Sequence, residues 1–196
     1  MKPISAVIFE VDDTLTSLGV QYVFGGALAL AYYAQPRGTI DIDLCVSTRY
    51  ESRSTLLDDL SRFGWLTDQD EGGAPIAGTR LRREGESVVL DVFFSFDPYH
   101  ADVLNNAVRN LFVFSGERRE LPFLSADDLA VLKISFGRDK DWVDLRAMSE
   151  AGTPIDIDYV ERQLVNFKGP TAYPAAARLR ALLARYTVAT DDNPSA

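Results

Sequence analysis

Hydrophobic residues at the start of the chain recur at the intervals of an α-helix. They are Ile4, Val7, Ile8, Val11, Leu15 and Leu18. Successive positions three or four apart, with one adjacent pair, lie on one face of a helix rather than alternating along a strand. Gly19 follows the last of them and is suited to end the helix. The pattern therefore predicts a first helix that ends at Gly19, with its acidic residues Glu10, Asp12 and Asp13 mostly facing solvent.

The same segment contains "VIFEVDDTLT", which resembles the Asp-x-Asp-x-Thr motif of haloacid-dehalogenase-type phosphatases. Glu10 stands where that motif has its nucleophilic aspartate. Glutamate is longer by one methylene, and an in-line attack tolerates little displacement of the nucleophile. The helical interpretation is therefore favoured, and the phosphatase remains the alternative.

The pattern changes along the chain and divides it into parts. Up to residue 124, short apolar runs alternate with helical stretches, which predicts an α/β (α+β) domain with a mixed sheet and flanking helices. Residues 125–188 are helical in pattern, with Ser125 as a helix cap and Pro174 in the first turn of the last helix. Residues 189–196 are predicted to be a disordered tail.

Two glycines connect a short strand to a helix near the start of the predicted sheet domain. The apolar strand Tyr22–Phe24 is followed by Gly25 and Gly26, and then by good helix formers over residues 27–34. Glycines at such a junction let the backbone approach a ligand closely, and the start of the helix offers free N–H groups. The junction is a candidate phosphate-binding loop.

Three carboxylates lie in strands that follow this loop. Asp41 and Asp43 are two residues apart in one predicted strand and therefore share a face. Two carboxylates beside a phosphate-binding loop can hold Mg²⁺ (or Mn²⁺) together with the phosphates of a nucleotide. Asp91 interrupts the apolar strand "VVLDVFF", where an uncompensated charge is costly. A metal shared with the first two acids would compensate Asp91, and an arginine partner is the alternative.

Composition limits the class of protein. The 196 residues carry 46% hydrophobic residues, enough for a core, and a net charge of −9 that disfavours nonspecific binding to DNA. No apolar run is long enough to span a membrane, and a single cysteine, Cys45, with no secretory signal predicts a cytoplasmic protein. Cys45 is expected in the core, and the lone His100 at a helix start or in a loop. Local basic patches are suggested by Arg80, Arg82 and Arg83, by Arg118 and Arg119, and by Arg178, Arg180 and Arg185.

The glycine pair, the helix, "PRGTIDIDL" and the later Asp91 resemble the DNA polymerase β-like nucleotidyltransferase superfamily. The segment "DDLAVLKISFGRDKDWVDL" is similar to the nucleotidyltransferase toxins of bacterial toxin–antitoxin systems, which include abortive-infection and mycobacterial toxins. The resemblance covers roughly residues 20–146. Fourteen residues separate Gly26 from Asp41, slightly more than is usual in the superfamily.

The resemblance implies a role for each matching residue. Asp41, Asp43 and Asp91 would be the catalytic, metal-binding acids, and Gly25 and Gly26 would hold the triphosphate. The remaining assignments are Lys133 as a catalytic, phosphate-binding lysine, Asp144 (or Asp141 in its place) as the last acid, and Arg37 and Thr39 as phosphate contacts.

The resemblance also implies a function. The enzyme would transfer nucleoside monophosphates from an NTP, CTP or another pyrimidine nucleotide, to the 3′ end of tRNA and so block translation. Alternatives are a minimal-type nucleotidyltransferase that adenylylates a partner protein, an antibiotic nucleotidyltransferase, and a binding module that has lost catalysis. A toxin needs a cognate antitoxin. Thr39, two residues before Asp41, is expected on a strand edge and on the same face as both acids. A partner kinase that phosphorylates Thr39 would place a charge of about −1.5 to −2 there, and the alternative is that Thr39 only favours the start of the strand.

Overall fold

The computed structural model describes residues 2–68 and 78–191. The chain forms two compact units. The first comprises the residues up to Leu28 together with Gly38–Leu124, and the second comprises Ala29–Arg37 and the residues from Ser125 onward. The division at Leu124 coincides with the predicted change of pattern, whereas Ala29–Arg37, which the sequence grouped with the sheet, belongs to the helical unit.

The first unit contains a seven-stranded mixed sheet within the described residues, as the alternation of apolar runs predicts. Its order is β3-β4-β5-β2-β1-β7-β6, with β2 and β5 parallel, β1 and β7 parallel, and the other neighbours antiparallel. The strands are β1 Tyr22–Phe24, β2 Asp41–Arg49, β3 Leu66–Thr67, β4 Gly78–Arg82, β5 Val89–Ser95, β6 Val108–Phe114 and β7 Glu117–Phe123. The helices are α1 Ile4–Ser17, α2 Gly26–Leu30 (which runs into the second unit), α3 Arg53–Ser61 and α4 Pro98–Asn105.

Helix α1 confirms the periodicity of its apolar residues. Val7, Ile8, Val11 and Leu15 are buried, and Gly19 takes a positive φ of 66° just beyond the helix end. Because Glu10 lies within this helix and not at the end of a strand, the phosphatase interpretation is wrong.

The acids of α1 are less exposed than the sequence suggested. Glu10 is bound by Arg83 at 2.7 Å and Asp12 by Arg119 at 2.8 Å, and both acids are partly buried. Asp13 is exposed, although Arg119 binds it as well, at 2.6 Å. Only Asp13 therefore meets the expectation that these acids mostly face solvent. The sequence pattern does not show the two arginine partners, Arg83 just after β4 and Arg119 in β7.

Helix α2 is shorter than predicted. It spans Gly26–Leu30 instead of residues 27–34, and the chain continues in turns in which Tyr33 N donates to Leu30 O at 2.9 Å. Tyrosine is a weaker helix former than alanine or leucine, and Pro36 disfavours helical backbone in the residue before it. These local effects account for the early end.

The second unit is helical beyond residue 125, as predicted. Its helices are α5 Ala126–Phe136, α6 Asp139–Glu150, α7 Ile157–Lys168 and α8 Tyr173–Asp191. The Ser125 side chain caps α5 by accepting from Asp128 N, and Pro174 is the second residue of α8. Helix α8 includes residues 189–191, the first part of the predicted tail, while residues 192–196 lie outside the described residues. No described helix is both long and apolar enough to cross a membrane.

Candidate active site

The two faces of strand β2 have different surroundings. Ile42, Leu44 and Val46 are buried, and Leu44 and Val46 pack with residues of α1 and α3. Asp41 and Asp43 occupy the alternate positions, so both point to the opposite face, where they are partly exposed. Cys45 shares that face and is buried, as expected for a packed cysteine. The period of two along the strand thus places the two carboxylates together.

Strand β5 brings the third acid to the same face. Asp91 is paired with Asp43 in the parallel register between β2 and β5. Directly paired residues of neighbouring strands share a face at a spacing of roughly 4.8 Å. The backbone therefore places Asp41, Asp43 and Asp91 on one face of the sheet, the acid face.

Gly25 and Gly26 fit closely against Asp43. Gly25 N donates to the Asp43 carbonyl at 2.8 Å. Gly26 has a positive φ of 54°, and a Cβ placed on it would lie 1.8 Å from Asp43 Oδ2. Only glycine accommodates both the backbone angle and the carboxylate. The strand–glycine–helix junction is thus built around one of the candidate metal ligands.

Asp91 is held by an arginine. Arg80, its direct partner on antiparallel strand β4, donates from Nε to Oδ1 at 2.8 Å and from Nη2 to Oδ2 at 2.7 Å. The hydrogen bonds to Asp91 raise the pKa of Arg80 above its usual value, and the charge of Asp41 adds to the effect. A metal ion and an arginine were the two predicted partners that would compensate the charge of Asp91. The structure shows the arginine.

The fit of a metal ion differs among the three acids. Within residues 2–68 and 78–191, no group of three His, Cys, Asp or Glu side chains is arranged to hold a metal. Both oxygens of Asp91 are bound to Arg80. Asp41 and Asp43 still suit Mg²⁺, which is usually bound by one or two carboxylates together with water and substrate phosphates. The assignment of Asp91 as a third ligand stays a prediction.

A second cluster of charged residues lies within the helical unit. Lys133 Nζ is 2.6 Å from Asp144 Oδ2, and both residues are buried. Arg37 binds the same carboxylate through Nε and Nη2, at 2.9 and 3.0 Å. Burial raises the pKa of Asp144, but the hydrogen bonds from Arg37 and Lys133 outweigh it, and the net effect is a pKa below the usual value. The cluster joins α5, α6 and the segment Ala29–Arg37.

The structure distinguishes Asp144 from Asp141. The Asp141 carboxylate accepts from Arg138 N at 3.0 Å and from the Arg138 side chain, and so caps the start of α6. Asp144 is the acid that contacts Lys133. The alternative of Lys133 as a surface lysine is wrong, because only 6% of its side chain is exposed. Its predicted contact with a phosphate stays a prediction, since its ammonium is bound to Asp144 here.

Thr39 was predicted to lie on a strand edge, but the structure places it before strand β2. Strand β2 begins at Asp41, and Thr39 Oγ1 accepts from Asp41 N at 3.0 Å. The hydroxyl therefore stabilises the start of the strand, and the argument that it shares a strand face with the acids does not apply. His100 lies in the first turn of α4, as expected, where its backbone N–H donates to the Asp97 side chain.

The arginines of β4 and of the segment after it do not form the expected basic patch. Arg80 binds Asp91, Arg82 binds Asp68, and Arg83 binds Glu10. Sequence reasoning assigned Arg80 to this patch and missed its role as the partner of Asp91. An arginine in the strand before an acid-bearing strand was the available signal, but the pairing depends on a register that the sequence does not show.

Comparisons with known proteins identify the fold. No protein-family model matches the chain, and no curated protein matches it in sequence. The solution structure of the antibiotic-resistance factor ANT(2'')-Ia is similar, with a TM-score of 0.59 and 15% identity over 89% of this chain and 96% of that chain. The crystal structure of ANT(2'')-Ia in complex with adenylyl-2''-tobramycin has a TM-score of 0.52 and 13% identity over 95% and 98%.

A third similar structure is an antigenic nucleotidyltransferase-like protein from Paracoccidioides brasiliensis. Its TM-score is 0.50 at 21% identity, over 88% of this chain and 91% of that chain. The similar structures share the nucleotidyltransferase fold, and the mixed sheet with flanking helices seen here is that fold.

Proposed function

We propose that this protein is a nucleotidyltransferase that transfers a nucleoside monophosphate from an NTP to an acceptor hydroxyl. The observation that carries the proposal is the close fit of the Gly25–Gly26 junction against Asp43, with Asp41 beside it on one face of a nucleotidyltransferase-type sheet. In the reaction, the acceptor hydroxyl gives up its proton to solvent and its oxygen bonds to the α-phosphorus, while the bond from the α-phosphorus to the pyrophosphate oxygen breaks. Pyrophosphate is the leaving group.

The residues of the acid face have distinct tasks in this proposal. Asp41 and Asp43 would hold Mg²⁺ (or Mn²⁺), which neutralises charge on the triphosphate and aligns the attacking and leaving oxygens. The Gly25 N–H is bonded to the Asp43 carbonyl and so fixes the junction relative to strand β2. Because Gly26 has no side chain, the Asp43 carboxylate can lie directly against its backbone. Such a transfer needs positioning and electrostatics rather than a covalent intermediate.

We propose RNA, in particular the 3′ end of tRNA, as the acceptor, with CTP or another pyrimidine nucleotide as donor. The support is the similarity of residues 127–145, which contain Lys133 and Asp144, to bacterial nucleotidyltransferase toxins. A protein that blocks tRNA in this way would act as the toxin of a toxin–antitoxin pair.

An antibiotic nucleotidyltransferase is the second candidate. Its support is the shared fold with ANT(2'')-Ia, one structure of which contains adenylyl-2''-tobramycin. The two candidates differ in the charge of the acceptor, because an aminoglycoside is a cation and RNA is a polyanion.

An acceptor screen separates the candidates. The protein is incubated with Mg²⁺, one labelled NTP at a time, and either total tRNA or tobramycin as acceptor. The proposal is supported if the wild type labels RNA and the Asp43→Asn variant does not. Label only in tobramycin replaces the first candidate by the second, and no transfer to either acceptor contradicts both.

We also propose that a partner antitoxin with kinase activity silences the enzyme at Thr39. The hydroxyl is bound to Asp41 N, so a phosphate there would replace a bond that holds the start of β2. It would also add about two negative charges next to Asp41. Thr39→Glu is expected to reduce transfer, whereas Thr39→Val removes only the hydroxyl. Normal transfer by Thr39→Glu contradicts this mechanism.

A further inference from the structure

Helices α6 and α8 of the second unit enclose a groove of ≈ 380 Å³. Its walls come from residues spaced for one helical face: Trp142, Val143 and Arg146 on α6, and Arg178, Leu182 and Arg185 on α8. Arg146 Nε also bonds to Tyr186 Oη at 3.2 Å, which ties the two helices together. The groove is therefore a formed feature of the helical unit.

The groove carries positive charge that described residues do not neutralise. Arg178 and Arg185 are exposed and have no carboxylate partner among residues 2–68 and 78–186. Asp139 is the one acid in the lining, and Arg146 is paired with Glu150 at 3.2 Å. By contrast, Arg180, on the same helix, binds both Asp158 and Glu161. In a protein of net charge −9, two such arginines in one groove favour an anionic ligand.

An aromatic surface lies beside these arginines. The Arg178 guanidinium is 3.8 Å from the centre of the Trp142 ring, which is partly exposed. Planar guanidinium and indole groups are the surfaces on which unpaired bases stack, and arginine also binds phosphates through two N–H groups. An acidic peptide would use the charge of the arginines and leave the aromatic surface without a ligand. Charge and stacking together favour RNA.

We propose that this groove binds the single-stranded part of the RNA acceptor, with phosphates at Arg178 and Arg185 and a base stacked against Trp142. The identity of the ligand as an acceptor rests on the proposed function, whereas the binding of RNA does not. The groove replaces the arginines of residues 80–83, which are paired with acids, as the surface for RNA.

The test measures the binding of labelled tRNA by fluorescence polarisation over a range of salt concentrations. It compares the wild type with a double variant in the groove and a control variant outside it. Arg178→Ala/Arg185→Ala is expected to weaken binding by about tenfold or more and to lower the salt slope by about 1 to 2, because two phosphate contacts are lost. Arg180→Ala removes one positive charge from the same helix outside the groove and should bind like the wild type. Circular dichroism checks that all variants are folded.

The transfer assay separates this inference from the proposed function. With labelled NTP and tRNA, the double variant is expected to raise the KM for tRNA about tenfold and to leave the KM for NTP unchanged. Equal tRNA binding by the double variant and the wild type overturns the inference even if RNA is labelled. In a further outcome, the wild type binds tRNA in a salt-dependent way that the double variant loses, while no RNA is labelled. That result supports RNA binding in the groove and contradicts RNA as the acceptor. Absence of tRNA binding by the wild type, or binding only of an acidic peptide such as polyglutamate, overturns the inference.

Discussion

Asp91 in the first unit and Asp144 in the second are both buried carboxylates bound by an arginine, but their surroundings differ in charge. Asp144 has two cations, Arg37 and the buried Lys133, on one carboxylate. Asp91 has one, Arg80, whose side chain is 38% exposed, and its neighbours Asp43 and Asp41 on the same face are also acids. The difference indicates that Asp144 is a fixed structural link, whereas Asp91 lies where a cation can compete with Arg80.

Removal of Asp144 is expected to cause the largest loss of stability. Asp144→Ala leaves the Lys133 ammonium buried without its carboxylate, and breaking a buried pair from one side costs about 3–5 kcal/mol. Urea denaturation measures the difference in free energy of unfolding. Glu150→Ala removes an exposed carboxylate from the same helix and should cost less than about 1 kcal/mol. A similarly small loss for Asp144→Ala would contradict the structural role of the cluster.

Gly26→Ala is expected to have the next largest effect. The new Cβ would meet Asp43 Oδ2, and the residue would be held at a φ of 54°. Backbone strain of this kind costs on the order of 1–3 kcal/mol, and displacement of Asp43 should lower transfer activity as well. Gly19→Ala is the matched control, because Gly19 has a φ of 66° with nothing within 4 Å of the added atom.

Comparison of the two glycine variants separates strain from displacement of the carboxylate. Both should lose stability in thermal denaturation, while only Gly26→Ala should lose transfer activity. Full activity of folded Gly26→Ala would show that the position of Asp43 is not important for the reaction.

Arg80→Gln tests whether a cation can take the place of the arginine. Without Arg80, both oxygens of Asp91 become available beside Asp43, so Mg²⁺ should bind more tightly. Tenfold tighter binding stabilises the variant by about 1.4 kcal/mol more than the wild type at saturating Mg²⁺. Thermal denaturation with and without Mg²⁺ measures the gain. Arg82→Gln, which removes the ion pair between Arg82 and Asp68 instead, is the control. An equal response to Mg²⁺ by Arg80→Gln and the wild type would contradict the competition.

The pH dependence of stability gives the smallest of these effects. The pKa of Asp144 is lower in the folded protein than its usual value of about 3.9. Its contribution to stability is therefore present above pH ~4 and is lost as the pH falls through the folded pKa, with a slope of up to about 1.4 kcal/mol per pH unit. Urea denaturation between neutral and acid pH should show a shallower loss below pH ~4 for Asp144→Asn than for the wild type. Parallel profiles would contradict the assignment of the pKa shift to this cluster.

The parts of the fold that depend on local periodicity could be predicted from the sequence. Helix α1, strand β1 and the shared face of Asp41 and Asp43 follow from spacings of three to four or of two residues. The glycine junction was recognisable because few residue types suit a tight turn from strand to helix. These features involve residues close to one another along the chain.

The features that could not be predicted from the sequence depend on contacts between distant segments of the chain. The pairing of Arg80 with Asp91 requires the register of β4 on β5, and no local pattern specifies a register between strands. Lys133 has apolar residues on both sides in the sequence, so helix α5 has no clear polar face from which its burial could be deduced. The partners of both buried carboxylates were therefore visible only in the folded chain.

Transfer by Asp41→Asn and Asp43→Asn tests the catalytic role of the acid face most directly. Each change keeps the shape of the side chain and removes the charge that would hold the metal ion. In an assay with labelled NTP, Mg²⁺ and total tRNA, each variant should lose at least about 100-fold in rate while remaining folded. Glu10→Ala, on helix α1, should retain activity near that of the wild type. Wild-type rates in folded Asp41→Asn or Asp43→Asn would contradict the assignment of this face as the active site.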